Sequence, residues 1–94
     1  MAHRVVWSSR ALADVESIAT FISADSAAYA QVVVRKIVKL TRKLSRFPHL
    51  GREVPEFKDP EVRELLAYSY RIIYRIGGDQ VLIAAVIHGK RSLV

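Results

Sequence analysis

The chain has 94 residues with a formal net charge of +6, and 51% of its residues are hydrophobic. This length suits one domain spanning residues 1–94, and the apolar fraction excludes a disordered tail. The absence of cysteine excludes disulfides and thiolate metal sites, and no apolar run reaches the length of a signal peptide or a membrane span. We therefore expect a soluble cytoplasmic protein that does not contact membranes.

The positive charge is concentrated in the middle of the chain. Between Ser26 and Arg52 the sequence holds seven cations and no acid, whereas most acids follow in the stretch "EVPEFKDPEVRE". Such a segment attracts polyanions or an acidic partner, and salt weakens that attraction. The alternative is that these cations only form the solvated outer face of an ordinary helix.

The first half of the chain predicts a strand and two helices. "HRVVW" is typical of a short strand, and Ser8-Ser9 then offers an N-cap for a helix with apolar residues at 3.6-residue spacing. A second helix begins at Asp25 or Ser26 and ends before Pro48, and so short a connection predicts an antiparallel helical hairpin. Its apolar stripe is Val33, Ile37, Leu40, Leu44 and Phe47. A separate cationic row, which must stay in solvent, consists of Arg35, Lys39, Arg42 and Arg46.

The second half predicts a loop followed by three strands. The proline-containing stretch "HLGREVPEFKDPE" indicates a loop, and "RELLAYS", "YRIIYRI" and "QVLIAAVIH" are strand-like. Gly77-Gly78-Asp79 is a good hairpin turn between the last two strands. The sequence thus predicts an α+β fold: an N-terminal strand, an antiparallel helical hairpin and a three-strand antiparallel meander, with the helices packed on one face of the sheet.

The length of that hairpin turn decides which side chains share a face. With an even number of loop residues, Arg71 and Arg75 lie on the same face as His88, and Lys90 and Arg91 stand at the rim of a concave basic surface. A three-residue loop would place His88 with the tyrosines of the neighbouring strand instead. We expect the even loop, which is the commoner arrangement.

Three segments in order carry a resemblance to a known family. "LSRFPHLGREVPEF", "VRELLAYSYRIIYRI" and "VLIAAVIHGKRSL" together resemble the RelE/ParE superfamily of bacterial toxins, and "W…ALADVESIATFI" is similar to its first helix. The match in order and spacing extends over nearly the whole chain. The resemblance implies a toxin of a type II toxin–antitoxin system, held inactive by an acidic antitoxin whose C-terminal segment folds around it. The cationic row then supplies the candidate antitoxin contacts.

The superfamily contains two activities, and this chain departs from one of them. RelE-like members cleave messenger RNA on the ribosome without a metal, which requires proton transfer and cations on the phosphate. By resemblance Arg63 matches a phosphate-binding arginine of these nucleases, and His88 falls near their acid/base histidine. Many of them place a tyrosine or second histidine at the very end, where this chain has Gly89-Lys90-Arg91-Ser92. That ending resembles the ParE branch, whose members poison DNA gyrase.

We therefore favour an inhibitor that binds gyrase as one protein binds another and performs no chemistry of its own. Its candidate target contacts are Arg71, Arg75, His88, Lys90 and Arg91. The alternatives are a RelE-like endoribonuclease acting on the ribosome and a small basic nucleic-acid-binding domain without toxicity. Against the last stands a paucity of exposed aromatic residues in a basic groove, which single-strand binders use for stacking. No motif indicates a metal, a cofactor or a small-molecule ligand.

Overall fold

The computed structural model describes residues 2–93, which form two helices and a five-stranded sheet. The elements in chain order are β1 (Arg4–Trp7), α1 (Ser9–Ser23), α2 (Ala27–Lys43), β2 (Arg52–Glu53), β3 (Val62–Ala67), β4 (Tyr70–Gly77) and β5 (Gln80–His88). The strand order is β1-β5-β4-β3-β2, with β1 parallel to β5 and the remaining pairs antiparallel. The predicted α+β fold is confirmed. The structure adds the short strand β2 within the predicted loop, and the parallel strand β1 makes the sheet mixed.

Both helices begin where a serine caps them. The hydroxyl oxygens of Ser8 and Ser26 accept the backbone N–H groups of Ala11 and Tyr29, each at 3.0 Å. Since Ser26 makes this bond, it is the cap of α2 rather than Asp25. Because α2 ends at Lys43, Phe47 falls outside the helical period and is 60% exposed, so its predicted place in the apolar stripe is wrong. Neither helix within residues 2–93 combines the length and apolar composition of a membrane span.

The sheet buries side chains on both of its faces. The helix-facing core joins α1 and α2 to side chains of β3, β4 and β5, with Ile72, Tyr74 and Ile83 fully buried. A smaller apolar cluster lies on the opposite face and contains Val54, Val62, Ile73, Ala85 and Ile87, with Leu93 packed against it. The second face is therefore covered by the loop after β2 and by the segment that follows β5.

A two-residue loop of Gly78 and Asp79 closes the hairpin between β4 and β5. Gly78 has φ +59°, a left-handed conformation that glycine adopts without steric cost. The even loop length is therefore confirmed. Close to the turn, Arg75 pairs with Leu82 as that register requires.

Further along the hairpin, the register shifts by one residue at Ala84, which has no partner in β4. Because side chains alternate between faces, one extra residue moves every later side chain of that strand to the other face. Beyond this bulge His88 pairs with Tyr70, on the face that α1 covers. The expectation that Arg71 and Arg75 share a face with His88 is therefore wrong.

Helix α1 holds this bulge in place. The Ser8 hydroxyl donates a hydrogen bond of 2.9 Å to the Ala84 carbonyl oxygen, and the Asp14 carboxylate accepts the Val86 N–H at 2.9 Å. Both bonds satisfy main-chain groups close to the irregularity in β5. The position of His88 is thus set by contacts between the first helix and the last strand.

Candidate functional site

A network of paired charges, centred on a buried glutamate, lies on the face of the sheet opposite the helices. We call it the Glu64 network, and its members are Arg52, Glu56, Glu64 and Arg71. The Glu64 side chain is 0% exposed, and its two oxygens accept hydrogen bonds of 2.6 Å from Nε of Arg52 and Nε of Arg71. The Nη atoms of Arg71 donate to the two oxygens of Glu56 at 2.8 and 2.9 Å. Arg71 and the two carboxylates are largely buried and neutralise one another, as burial of charge requires, whereas the Arg52 side chain is 63% exposed and pairs with Glu64 from the edge.

The network also holds the segment that follows β5. Arg71 Nη1 donates to the Arg91 carbonyl oxygen at 2.9 Å, and the Leu93 N–H donates to Glu56 at 3.1 Å. The hydrogen bonds from Arg71 lower the pKa of Glu56 to about 2, and Glu56 in turn raises the pKa of Arg71. The Arg71 side chain is only 7% exposed and all three of its nitrogens are engaged. Arg71 therefore holds parts of the protein together. The prediction that it is exposed on a basic surface is wrong.

The other two strand arginines contact loops. Arg63 donates to the main-chain carbonyl oxygens of Pro60 at 2.9 Å and Gly51 at 3.0 Å. Arg75 is half exposed and pairs with Asp59 at 3.1 Å. These contacts tie β3 and β4 to the loops on either side of β2.

Arg63 and His88 do not lie together. Arg63 pairs with Tyr74, which pairs with Ile83 of β5, five residues before His88. At the rise of an extended strand this separation is about 16 Å along the sheet. The two residues carried over from the nuclease pattern are therefore not positioned to act on one phosphate.

His88 has a defined ring geometry at the end of β5. Its imidazole lies edge-on to the Tyr70 ring with centroids 5.8 Å apart, and its Nδ1 accepts the Lys90 N–H at 3.2 Å. When the ring is neutral its proton is then on Nε2, which makes that nitrogen a hydrogen-bond donor and not a base. Residues 2–93 contain no group of three or more His, Asp or Glu side chains arranged to share a metal ion.

Three cationic or titratable side chains lie at the end of β5 and just after it. We call them the C-terminal corner: His88, Lys90 and Arg91. The main chain here is a tight turn, since the Arg91 N–H bonds the His88 carbonyl at 2.9 Å and the Gly89 N–H bonds the Ser69 carbonyl at 2.6 Å. All three side chains are exposed, and among residues 2–93 neither Lys90 nor Arg91 forms an ion pair. The corner presents free cations on a fixed backbone.

The cationic row of α2 is also free of partners. Arg35, Lys39 and Arg42 in α2, and Arg46 in the turn just after it, are all exposed. Across the described part of the chain, no carboxylate lies within ion-pair distance of any of them. The row therefore presents uncompensated positive charge to whatever binds this side of the helical hairpin.

Sequence reasoning missed a group of exposed aromatic residues beside the corner. Phe21 is 75% exposed and Tyr68 is 55% exposed, and the ring of Tyr68 lies 6.2 Å from that of Tyr29. The available signal was the "YSY" segment, whose central serine and preceding tyrosine form the turn between β3 and β4. Because that segment was assigned to a strand, the exposure of Tyr68 at a hairpin tip was not foreseen.

The fold places the chain in a class of known structures. A chain of a chromosomal ParDE toxin–antitoxin system from P. aeruginosa aligns with a TM-score of 0.75 at 21% identity, over 93% of this chain and 96% of that one. A chain of the RelBE2 toxin–antitoxin complex from Mycobacterium tuberculosis aligns with a TM-score of 0.66 at 20% identity, over 94% and 99%. A YoeB/ParE toxin from Agrobacterium tumefaciens gives 0.62 at 22%, over 90% and 96%. The protein has the RelE/ParE-like toxin fold.

A comparison with models of protein families shows which family within this class the chain belongs to. Residues 5–93 match the family described as the ParE toxin of the type II toxin–antitoxin system parDE, and the chain belongs to this family. Toxin ParE3 of Caulobacter vibrioides is 28% identical over 64 residues, which are 68% of this chain. That alignment spans 63% of the length of Toxin ParE3.

Proposed function

We propose that this toxin inhibits DNA gyrase by binding to it and that a cognate antitoxin neutralises it. The observation that carries the proposal is the separation of Arg63 from His88, which leaves no nuclease constellation at the C-terminal corner. Membership of the ParE family supports the same choice. A protein that blocks an enzyme by binding needs an exposed, preorganised surface rather than a proton-transfer pair.

The C-terminal corner is our candidate for the contact with gyrase. Lys90 and Arg91 point into solvent from a turn whose backbone is held by three hydrogen bonds. A side chain at Gly89 would place its Cβ 3.1 Å from the Ser69 carbonyl oxygen, so the close approach of the two turns favours glycine. Such a rigid turn loses little entropy when its cations meet an acidic surface. His88 adds one hydrogen-bond donor.

The cationic row of α2 is our candidate for the contact with the antitoxin. Four exposed cations without partners attract an acidic segment, and the neighbouring exposed side chains Tyr29 and Val32 offer apolar area. A segment that orders only on binding needs a large interface, and we expect more than about 2,000 Å² in total. The ParDE system and RelBE2 complex among the related structures are toxin–antitoxin assemblies, which supports a partner of this kind.

Supercoiling by purified gyrase tests the proposal. We expect the parent protein to inhibit supercoiling and the double variant Lys90→Ala/Arg91→Ala to lose most of that inhibition. The matched control is Lys36→Ala/Lys43→Ala, which removes the same charge from exposed positions of α2 outside the cationic row. Equal inhibition by the two double variants would show that the corner does not contact the target.

A translation assay tests the competing activity. The parent protein should leave messenger RNA intact on translating ribosomes. Codon-positioned cuts that disappear in His88→Gln would make the protein a ribonuclease, because glutamine keeps hydrogen bonding but cannot transfer a proton near neutral pH. In a gyrase inhibitor the same substitution should change the free energy of binding to gyrase by no more than the value of one hydrogen bond, about 0.5–1.5 kcal/mol.

A further inference from the structure

Five ring-bearing side chains, four of them exposed and Tyr70 partly buried, form a continuous surface at the end of the molecule that carries the corner. We call it the aromatic surface: Phe21, Tyr29, Tyr68, Tyr70 and His88. The Tyr29 and Tyr68 rings lie 6.2 Å apart, and those of Tyr70 and His88 lie 5.8 Å apart. One shallow hollow is lined jointly by Phe21, Tyr29, Tyr70 and His88, which joins the two pairs into a single surface.

The backbone of Tyr68 is a second, independent observation. Within residues 2–93, Tyr68 is the one residue other than glycine with positive φ, at 54°. It lies in the two-residue turn between Ala67 and Tyr70, where glycine or asparagine adopts this conformation with less strain. A bulky residue held in that conformation costs free energy, and such strain is found where a side chain is needed for function. Folding of the turn does not account for a tyrosine at this position.

Cationic side chains lie along one side of the aromatic surface. Three adjoining hollows of 280, 290 and 300 Å³ are all lined by His88. Arg91 lines the first, and Lys90 and Arg52 line the third. Two acids are nearby: Asp14 is paired with Arg10, and Asp25 lines the second hollow. Phosphates are therefore favoured on the side of the cations and disfavoured beside Asp25.

The arrangement suits nucleic acid better than a polypeptide strand. The main chain at this end is already bonded, with the N–H groups of Gly89, Lys90 and Arg91 all donating within the protein. An added peptide strand finds no free backbone donors in this turn, whereas bases need only ring faces and phosphates need only cations. Base stacking on aromatic side chains beside a cationic path is the general mode of single-strand binding.

We propose that the aromatic surface binds single-stranded DNA, with bases stacked on its rings and phosphates beside Lys90 and Arg91. The choice of DNA over RNA rests on the proposed function, because gyrase acts on DNA. The stacking itself does not depend on gyrase, so the two proposals can fail separately. The surface then provides a second contact, to the substrate of the enzyme that the toxin inhibits.

Fluorescence anisotropy of a labelled 12-nucleotide oligo-dT, measured with the purified protein alone, tests this proposal. The decisive variant is Tyr68→Gly, which removes the ring and also relieves the positive φ, so its melting temperature should equal or exceed that of the parent. Loss of one stacked base should weaken binding roughly 5- to 150-fold. The control Phe47→Ala removes an equally exposed aromatic side chain outside the surface and should bind as the parent does.

The salt dependence tests the cations. With two phosphates neutralised by Lys90 and Arg91, the slope of log K against log salt should be about −1.4, and Lys90→Ala/Arg91→Ala should bring it close to zero. Lys36→Ala/Lys43→Ala has the same net charge and should leave the slope unchanged. If the magnitude of the slope decreases equally in both variants, only the overall charge matters, and the proposal is overturned.

Three further outcomes decide the identity of the ligand. Equal affinity of Tyr68→Gly and the parent, or equal affinity for a duplex of the same length, would overturn single-strand stacking. Tenfold tighter binding of the matching RNA would overturn the choice of DNA. Binding of an acidic peptide that Tyr68→Gly weakens, with no binding of oligo-dT, would assign the surface to a protein partner. Loss of oligo-dT binding in Tyr68→Gly with gyrase inhibition retained would support the proposal and leave the function above intact.

Discussion

The two faces of the sheet bury their side chains in different ways. The face under the helices is almost wholly apolar, and its one fully buried tyrosine, Tyr74, has its hydroxyl satisfied by the main chain of Pro48 and Gly51. The opposite face mixes a small apolar cluster with the Glu64 network, and it is sealed by a loop and by the segment after β5. Charge on this second face therefore serves the fold, and the charge available to a partner lies at its edge.

Two arginines illustrate the difference. Arg71 is buried and donates to two carboxylates, whereas Arg91 is exposed and only its main-chain groups are bonded. The main chain of Arg91 is held by Arg71 itself, so the internal cation positions the external one. The two residues are of the same type and lie close together, so the difference in burial separates the structural role of Arg71 from the binding role proposed for Arg91.

The largest predicted effect comes from removing the internal cation. Arg71→Met removes one of the two cations paired with the buried Glu64 carboxylate, together with the cation paired with Glu56, and should lower the free energy of unfolding by about 3–5 kcal/mol. Arg91→Met, the matched change at the exposed position, should alter it by no more than about 0.5 kcal/mol. Urea titration followed by circular dichroism measures both. Similar losses in the two variants would show that the faces do not differ as described.

A smaller loss is expected when the apolar face loses the hydroxyl of its fully buried tyrosine, Tyr74. The Tyr74 hydroxyl donates to the Pro48 carbonyl at 2.7 Å and accepts the Gly51 N–H at 2.9 Å. Tyr74→Phe leaves that buried N–H unpaired and should cost about 1–3 kcal/mol in unfolding free energy.

Tyr68→Phe makes the same chemical change at an exposed ring and serves as the control. Its unfolding free energy should stay within about 0.5 kcal/mol of the parent. A Tyr74→Phe variant as stable as this control would mean that water replaces the lost hydroxyl.

The third prediction concerns acid. Hydrogen bonds from Arg71 lower the pKa of Glu56 from 4.5 to about 2 in the folded protein. A carboxyl whose pKa is lowered on folding stabilises the protein above its unfolded pKa and loses that contribution as the pH falls through the folded value. The melting temperature of the parent should therefore fall between about pH 4.5 and pH 2, and that of Glu56→Gln should fall less over the same interval. Parallel profiles would contradict the role given to Glu56 in holding the second face.

The smallest effect on stability is predicted for the corner. Lys90→Ala/Arg91→Ala removes only exposed charge, so the unfolding free energy should change by no more than about 0.5 kcal/mol. Growth arrest on expression should nevertheless drop, since these cations are proposed to contact the target. Undiminished arrest by a folded double variant would show that the two cations are only a solvated chain end.

Much of the fold was predictable because it depends on local chemistry. Serine caps, the 3.6-residue period of the helices, the alternation along β4 and the Gly78-Asp79 turn each act within a few residues, so the sequence predicts them directly. The exposure of the cationic row of α2 was predictable for the same reason, since charges opposite an apolar stripe must face solvent. The free cations of the corner were foreseen in the same way, from the end of an apolar strand.

The sequence by itself thus determined the two helices, the four longer strands, their order along the chain and the two sets of exposed cations, but not the short strand β2. Only the tertiary structure decided which face His88 occupies, because the bulge at Ala84 is held by Ser8 and Asp14, more than seventy residues away along the chain. The same holds for Arg71, whose partners Glu56 and Glu64 come from a loop and another strand. The pattern of side chains indicates which secondary structure and which exposure each residue prefers. Register and ion pairing depend instead on which distant groups come within hydrogen-bonding distance when the chain packs.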